Sequence, residues 1–145
     1  MTQAEAQANG QGVFVGKKYF STVAKGGAMG FNRGDFDDGF VKLIADKDKK
    51  ILGVHIIGPH ADILVQAFVY LMNAGYSCEY ADKKQCKKMQ KLNEVFRVNG
   101  SFVPIFKSIV IHPSLNELTA WVLGELEWTE LGGQSHTHTH THEAN

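Results

Sequence analysis

An α+β fold, a small and mostly antiparallel sheet with helices on one side, is predicted by three observations. Two apolar runs separated by a polar turn form a hairpin, and a helical apolar pattern follows it directly. Strands and helices do not alternate as repeated βαβ units require. With 145 residues, 43% of them hydrophobic, the chain suffices for one domain with a real core. No internal repeat of useful period is visible.

The hairpin is FVKLIADKDKKILGVHIIG, in which Phe40 to Ala45 and Ile51 to Ile57 flank the turn Asp46 to Lys50. Gly58-Pro59 closes it. From Ala61 the apolar residues Leu64, Ala67, Phe68, Leu71 and Met72 fall at helical spacing, and Gly75 supplies a C-terminal stop. Ile63, Val65, Val69 and Tyr70 lie off that stripe, so the helix is apolar on more than one side. Such a helix in a small domain has to be covered, and a second subunit is the economical cover.

Residues 79 to 94 carry five lysines, with Cys86, Met89 and Leu92 as a thin apolar stripe. A solvated surface helix is the expectation, since no aromatic interleaving or glycine loop accompanies the lysines to make a phosphate site. After Asn99-Gly100 the run FVPIFKSIVI offers a strand, or a strand and a helical turn, with Pro104 limiting any regular element. A final helix is expected from Leu115 to about Trp128, with Leu115, Leu118, Val122 and Leu126 near one face.

Both ends read as peripheral to the core: residues 1–16 as a flexible N-terminal segment, residues 130–145 as a disordered His-rich tail, with the folded domain over 17–129. The alternating histidines of the tail could hold a divalent metal, but an added purification tail is the preferred reading. Fifteen basic side chains balance fifteen acidic ones, so no global field favours nucleic acid or an anionic membrane. No apolar stretch approaches membrane-helix length, and MTQAEAQANGQG lacks the regions of a secretory signal, so a cytoplasmic protein is the expectation. Cys78 and Cys86 match neither a CxxC redox pair nor a paired zinc knuckle, and read as ordinary reduced thiols.

Chemistry concentrates in SIVIHPSLNEL, residues 108–118. The residue before a proline is pushed towards extended geometry, so His112 should end a strand-like segment. Ser114 and Glu117 have capping-box spacing: the hydroxyl accepts from the Glu117 amide and the carboxylate reaches back to the Ser114 amide. Local structure therefore accounts for Ser114 and Glu117 without catalysis. It does not require an imidazole at 112, and a nearby carboxylate could orient that ring for acid/base work on a thiol. His55, inside a strand, and His60, in the turn before a helix, have no ligand cluster around them.

Three ordered motifs carry a family resemblance: Gly53 to Pro59 as G-[hydrophobic]-H-I-I-G-P, Ala61 to Gln66 as A-D-x-L-x-Q, and His112 to Glu117 as H-P-[ST]-x-x-E. Together they resemble the C-terminal dimerisation domain of the pyridine nucleotide-disulfide oxidoreductases, the flavoprotein family of dihydrolipoamide dehydrogenase, glutathione reductase, mercuric reductase and mycothione reductase. The similarity runs over roughly residues 19 to 127 and is nearest to the dihydrolipoamide dehydrogenase and mycothione reductase branches; KYFSTVAKGGAMGF resembles their small-residue turn before the hairpin. Ile63 departs from the glutamate common at that place, and the stretch between the central helix and His112 is longer than usual.

The resemblance implies a homodimer about a two-fold axis, with His112 and Glu117 as the catalytic acid/base pair offered across the interface to the partner's dithiol. It implies FAD and NAD(P) in the full-length enzyme, held by domains this chain lacks, and a place in cell redox homeostasis. No G-x-G-x-x-G follows a strand, and the family's cysteines are separated by four residues where Cys78 and Cys86 have seven between them. No cofactor or metal is therefore expected on this domain alone, and the isolated chain is expected to be inactive. The alternative is a free-standing homodimeric interaction module in which His112 and Glu117 serve only local structure.

Overall fold

The computed structural model describes residues 1–10, 12–74, 84, 87 and 100–129. The expectations for the Gly75 stop, for the lysine-rich helix with Cys86, Met89 and Leu92, for Cys78 and for the His-rich tail lie outside the described residues.

The described chain folds as α+β. In order it runs α1 (Gln3–Ala8), β1 (Val13–Tyr19), a 3-10 turn at Phe20–Thr22, α2 (Ala24–Ala28), β2 (Phe40–Ala45), β3 (Ile51–Ile57) and α3 (Ala61–Met72). After the undescribed stretch come α4 (Val103–Lys107), α5 (Glu117–Trp121), a second 3-10 turn at Val122–Glu125 and β4 (Glu127–Thr129). The strands form one antiparallel sheet in the order β3-β2-β1-β4.

The hairpin has the predicted bounds because its turn is locally determined. Asp46 Oδ1 accepts from the N–H groups of Asp48 and Lys50, both at 2.9 Å, and Lys49 takes a left-handed φ of 67°. Val41, Leu43 and Ala45 alternate onto one face of β2 and are fully buried there with Leu64 and Phe68 of α3, Leu118 of α5 and Val122. At the end of β3, Gly58 has φ 140°, and a Cβ on it would stand 2.7 Å from the ring of Phe20, which is itself fully buried. Gly58→Ala is therefore expected to cost about 2–3 kcal/mol in a urea melt, from the left-handed backbone and the ring clash together; a loss under about 0.5 kcal/mol would show that neither is rigid.

The N-terminal residues depart from the expectation. Rather than remaining outside the core, α1 is closed by a reciprocal capping box between Thr2 and Glu5, and its Ala6 is fully buried with Val13 and Ile44. Those side chains point to the opposite sheet face from Leu43, so α1 covers part of the face that α3 leaves open. Strand β1, already begun at Val13, pairs with both β2 and β4.

The C-terminal helix is also shorter than its apolar spacing predicts. Helix α5 stops at Trp121, and Glu127–Thr129 pairs with Val13–Val15 as an edge strand. Before it, VPIFK forms α4, with Pro104 in the first turn where its missing N–H costs nothing. No strand covers residues 108–112; only an isolated bridge from Lys50 to Ser101 marks the run.

Candidate functional site

His112 and Glu117 are brought together by a tight turn ahead of α5. The His112–Pro113 peptide is cis. Glu117, the first residue of α5, is 1% exposed and occupies both carboxylate oxygens: Oε1 accepts from the Ser114 N–H at 2.7 Å, and Oε2 lies 3.0 Å from His112 Nδ1. The capping box is thus half formed. The carboxylate reaches the Ser114 amide as predicted, but Ser114 Oγ donates to the Ile111 carbonyl at 2.6 Å instead of accepting from Glu117. That bond ties the turn to the residue preceding His112.

Burial opposes ionisation of Glu117, but the Ser114 N–H and the His112 ring together outweigh it and hold the carboxyl below the usual glutamate range. An ionised carboxylate only accepts, so the hydrogen on Nδ1 points at Glu117 and Nε2 faces outward. The His112 side chain is 65% exposed, and Nε2 has no hydrogen-bond partner among the described residues. A lone pair aimed at solvent, on a ring held from behind by a buried anion, can take a proton from whatever is presented to it.

Glu117→Gln keeps the shape and loses the charge, so it is expected to destabilise the fold by about 1–2 kcal/mol at neutral pH. The folded carboxyl has a depressed pKa, so its stabilisation is complete above the unfolded value, about 4.3, and is lost as pH falls through the folded one. The gap between the wild-type and Glu117→Gln proteins in urea melts should therefore narrow only under acid conditions. A constant gap down to about pH 2.5 would contradict the assignment.

Beside this pair runs an apolar groove of about 340 Å³ between α3 and the 104–111 segment, lined by Tyr70, Leu71, Ile105, Ile109 and Ile111 among others. Ile109 is 95% exposed, and on the outer face of α3 Ile63 and Tyr70, seven residues apart, are 63% and 70% exposed. The all-round apolar character read from the sequence is thus an uncovered face in the single chain. The exposure of Ile109 and Ile111 was missed; the continuous apolar run Ile109-Val110-Ile111 was a signal, but the stretch read as a strand, or a strand and a helical turn.

His55 and His60 remain apart from this chemistry. His55 Nε2 lies 3.2 Å from the Met1 carbonyl, and His60, at φ 59°, precedes α3 without a side-chain cap. No group of three or more potential metal ligands occurs among the described residues. Gly10 and Gly12 lead into strand β1 and Gly16 lies within it, none of them at a helix N-terminus, so among the described residues they do not fit a dinucleotide pyrophosphate. No helix among the described residues is long and apolar enough to cross a membrane.

Comparison with known proteins matches residues 1–97 to the family described as pyridine nucleotide-disulphide oxidoreductase, dimerisation domain. That match ends short of His112. The chain is similar to the dihydrolipoyl dehydrogenase of Bacillus subtilis (strain 168), 44% identical over 66 residues, which is 45% of this chain and 13% of the relative. It is similar to the mitochondrial dihydrolipoyl dehydrogenase of Caenorhabditis elegans, 36% identical over 96 residues, 66% of this chain and 19% of the relative. A third relative, the dihydrolipoyl dehydrogenase of Rhizobium etli, is 38% identical over 74 residues, 50% and 14% of the two chains. The aligned part thus spans less than a fifth of each relative's length.

Proposed function

Because this chain belongs to the pyridine nucleotide-disulphide oxidoreductase dimerisation-domain family, we propose that it is the self-associating part of a dihydrolipoyl dehydrogenase-like enzyme of the cytoplasm. It supplies an interface to a second copy of itself and the His112/Glu117 pair to the partner's redox dithiol. FAD and NAD(P) belong to other domains of that enzyme, and the glycine arrangement described above agrees with their being held elsewhere.

The observation that carries the reading is the 3.0 Å contact between buried Glu117 and the outward-facing His112 ring, next to an uncovered apolar face. With Nδ1–H held by Glu117, Nε2 accepts the proton of a substrate thiol. The thiolate so formed attacks the partner's disulfide, and the imidazolium returns its proton to the thiolate that leaves. Glu117 stabilises the imidazolium while it exists. No cysteine occurs among the described residues, so in this reading the sulfurs are brought by another polypeptide surface, which ties the chemistry to self-association.

The test is to supply this chain to separately produced flavin- and nicotinamide-binding domains of a dihydrolipoyl dehydrogenase and follow NAD-dependent oxidation of dihydrolipoamide. Activity that appears only with the chain present, together with a dimer in sedimentation, is the expected result. A chain that stays monomeric at tens of micromolar and adds no activity overturns the proposal. A second reading, an interaction module without catalysis, is favoured by one observation: the Glu117 bond to the Ser114 N–H is one a purely structural carboxylate also makes. Activity restored by the wild-type chain and equally by His112→Gln would select it.

A further inference from the structure

We propose that a cavity between α4 and the second 3-10 turn binds a small carboxylate with an aromatic or alkyl body. The proposal is independent of the function argued above, and the cavity shares no lining residue with the groove beside His112. It encloses about 310 Å³, at the small end of the range typical of ligand sites, roughly 300–1,000 Å³.

The exposure of its lining side chains separates floor from rim. Phe102 is buried, and Phe14, Leu123 and Leu126 are partly buried, so the floor is apolar. Phe14 is further held by an edge-on contact with Trp128, ring centroids 4.8 Å apart, so the floor is not a loose side chain. Phe106, Lys49 and Lys107 are exposed and form the rim. Water in such a floor is poorly bound, and an apolar body displaces it favourably.

The rim selects the charge. Its two cations have no acidic counterpart in the lining. Lys107 Nζ lies over the Phe106 ring at 5.6 Å, and neither ammonium is paired with a carboxylate among the described residues. The larger polar concavity beside β1 is different: it sets Lys17, Lys18 and Arg33 against Asp35, Asp38 and Glu125, so its formal charges cancel and it favours neither sign. Of these two, the smaller cavity joins an apolar floor to uncompensated positive charge. Lys49 is held near the mouth by its left-handed turn, whose carbonyl accepts from the Phe102 N–H at 3.2 Å.

The probe is 4-phenylbutanoate, titrated into the full chain while amide and methyl resonances are followed by NMR, with the neutral 4-phenylbutanamide as control. Saturable shifts at Phe14, Phe102, Leu123 and Leu126 are expected. Binding should be at least about tenfold weaker for the amide, and equally weaker for the acid with a Lys49→Gln, Lys107→Gln double variant. Both lysines are exposed, so an unchanged spectrum without ligand shows that the variant folds. Leu123→Trp, which fills the floor, should abolish the shifts. The absence of saturable shifts up to roughly 10 mM, or equal affinity for acid and amide, overturns the proposal.

Discussion

In the reconstituted flavoenzyme, His112→Gln is expected to lower turnover by about 10²- to 10⁴-fold while leaving the fold of this domain intact. The magnitude is that of losing a positioned proton carrier. Glutamine can still donate an N–H to Glu117 Oε2, so the buried carboxylate keeps a partner and its bond to Ser114. What glutamine cannot do is accept and return a proton at the place where Nε2 faces solvent. The measurement is single-turnover reduction of the enzyme's redox disulfide by the substrate dithiol, beside thermal unfolding of the isolated chain. Turnover within about threefold of wild type would remove His112 from the chemistry, whatever the stability.

The second large effect concerns the outer face of α3. Replacing Ile63 and Tyr70 together by aspartate is expected to weaken self-association at least about a hundredfold, seen as a monomer in sedimentation under conditions where wild type is expected to run as a dimer. Two carboxylates on each copy would have to be desolvated opposite one another across a two-fold axis. Both side chains are mostly exposed in the single chain and lie outside the buried core cluster formed by Leu64, Phe68 and Leu118. The monomer's stability should therefore change by no more than about 0.5 kcal/mol. A variant that remains dimeric would place the interface elsewhere on the surface.

Both experiments probe features that were legible in the sequence, as the hairpin was. The hairpin was visible because its turn is satisfied within five residues, Asp46 bonding the backbone of its own loop. Helix α3 was visible because its period is local, and its second apolar side was visible because helical geometry alone separates Ile63 and Tyr70 from Leu64 and Phe68. The His112–Glu117 pair was legible for the same reason, as five residues suffice for the turn that joins them.

Strand β1 was hidden because Gly16, Lys17 and Lys18 interrupt its alternation, and its backbone is satisfied by β2 and β4, far away in the chain. The residues of β4 continued a helical spacing, yet the edge of β1 captured them, Val13 facing Thr129. Ser114 obeyed the spacing of a capping box, but its hydroxyl found the Ile111 carbonyl instead. Ala6 looked too small and too polar in its surroundings to belong to a core, and was buried because the second face of the sheet lay open to α1.

By itself, then, the sequence determined the elements whose hydrogen bonds and apolar period close within a few residues: the hairpin, α3 and the turn carrying His112. Tertiary structure alone decided the partners of β1, the end of α5, the exposure of Ile109 and the burial of Glu117. Each of these depends on which distant backbone groups and surfaces compete for the same residues. That competition is settled by pairing and burial across the whole fold, and local spacing carries no record of it.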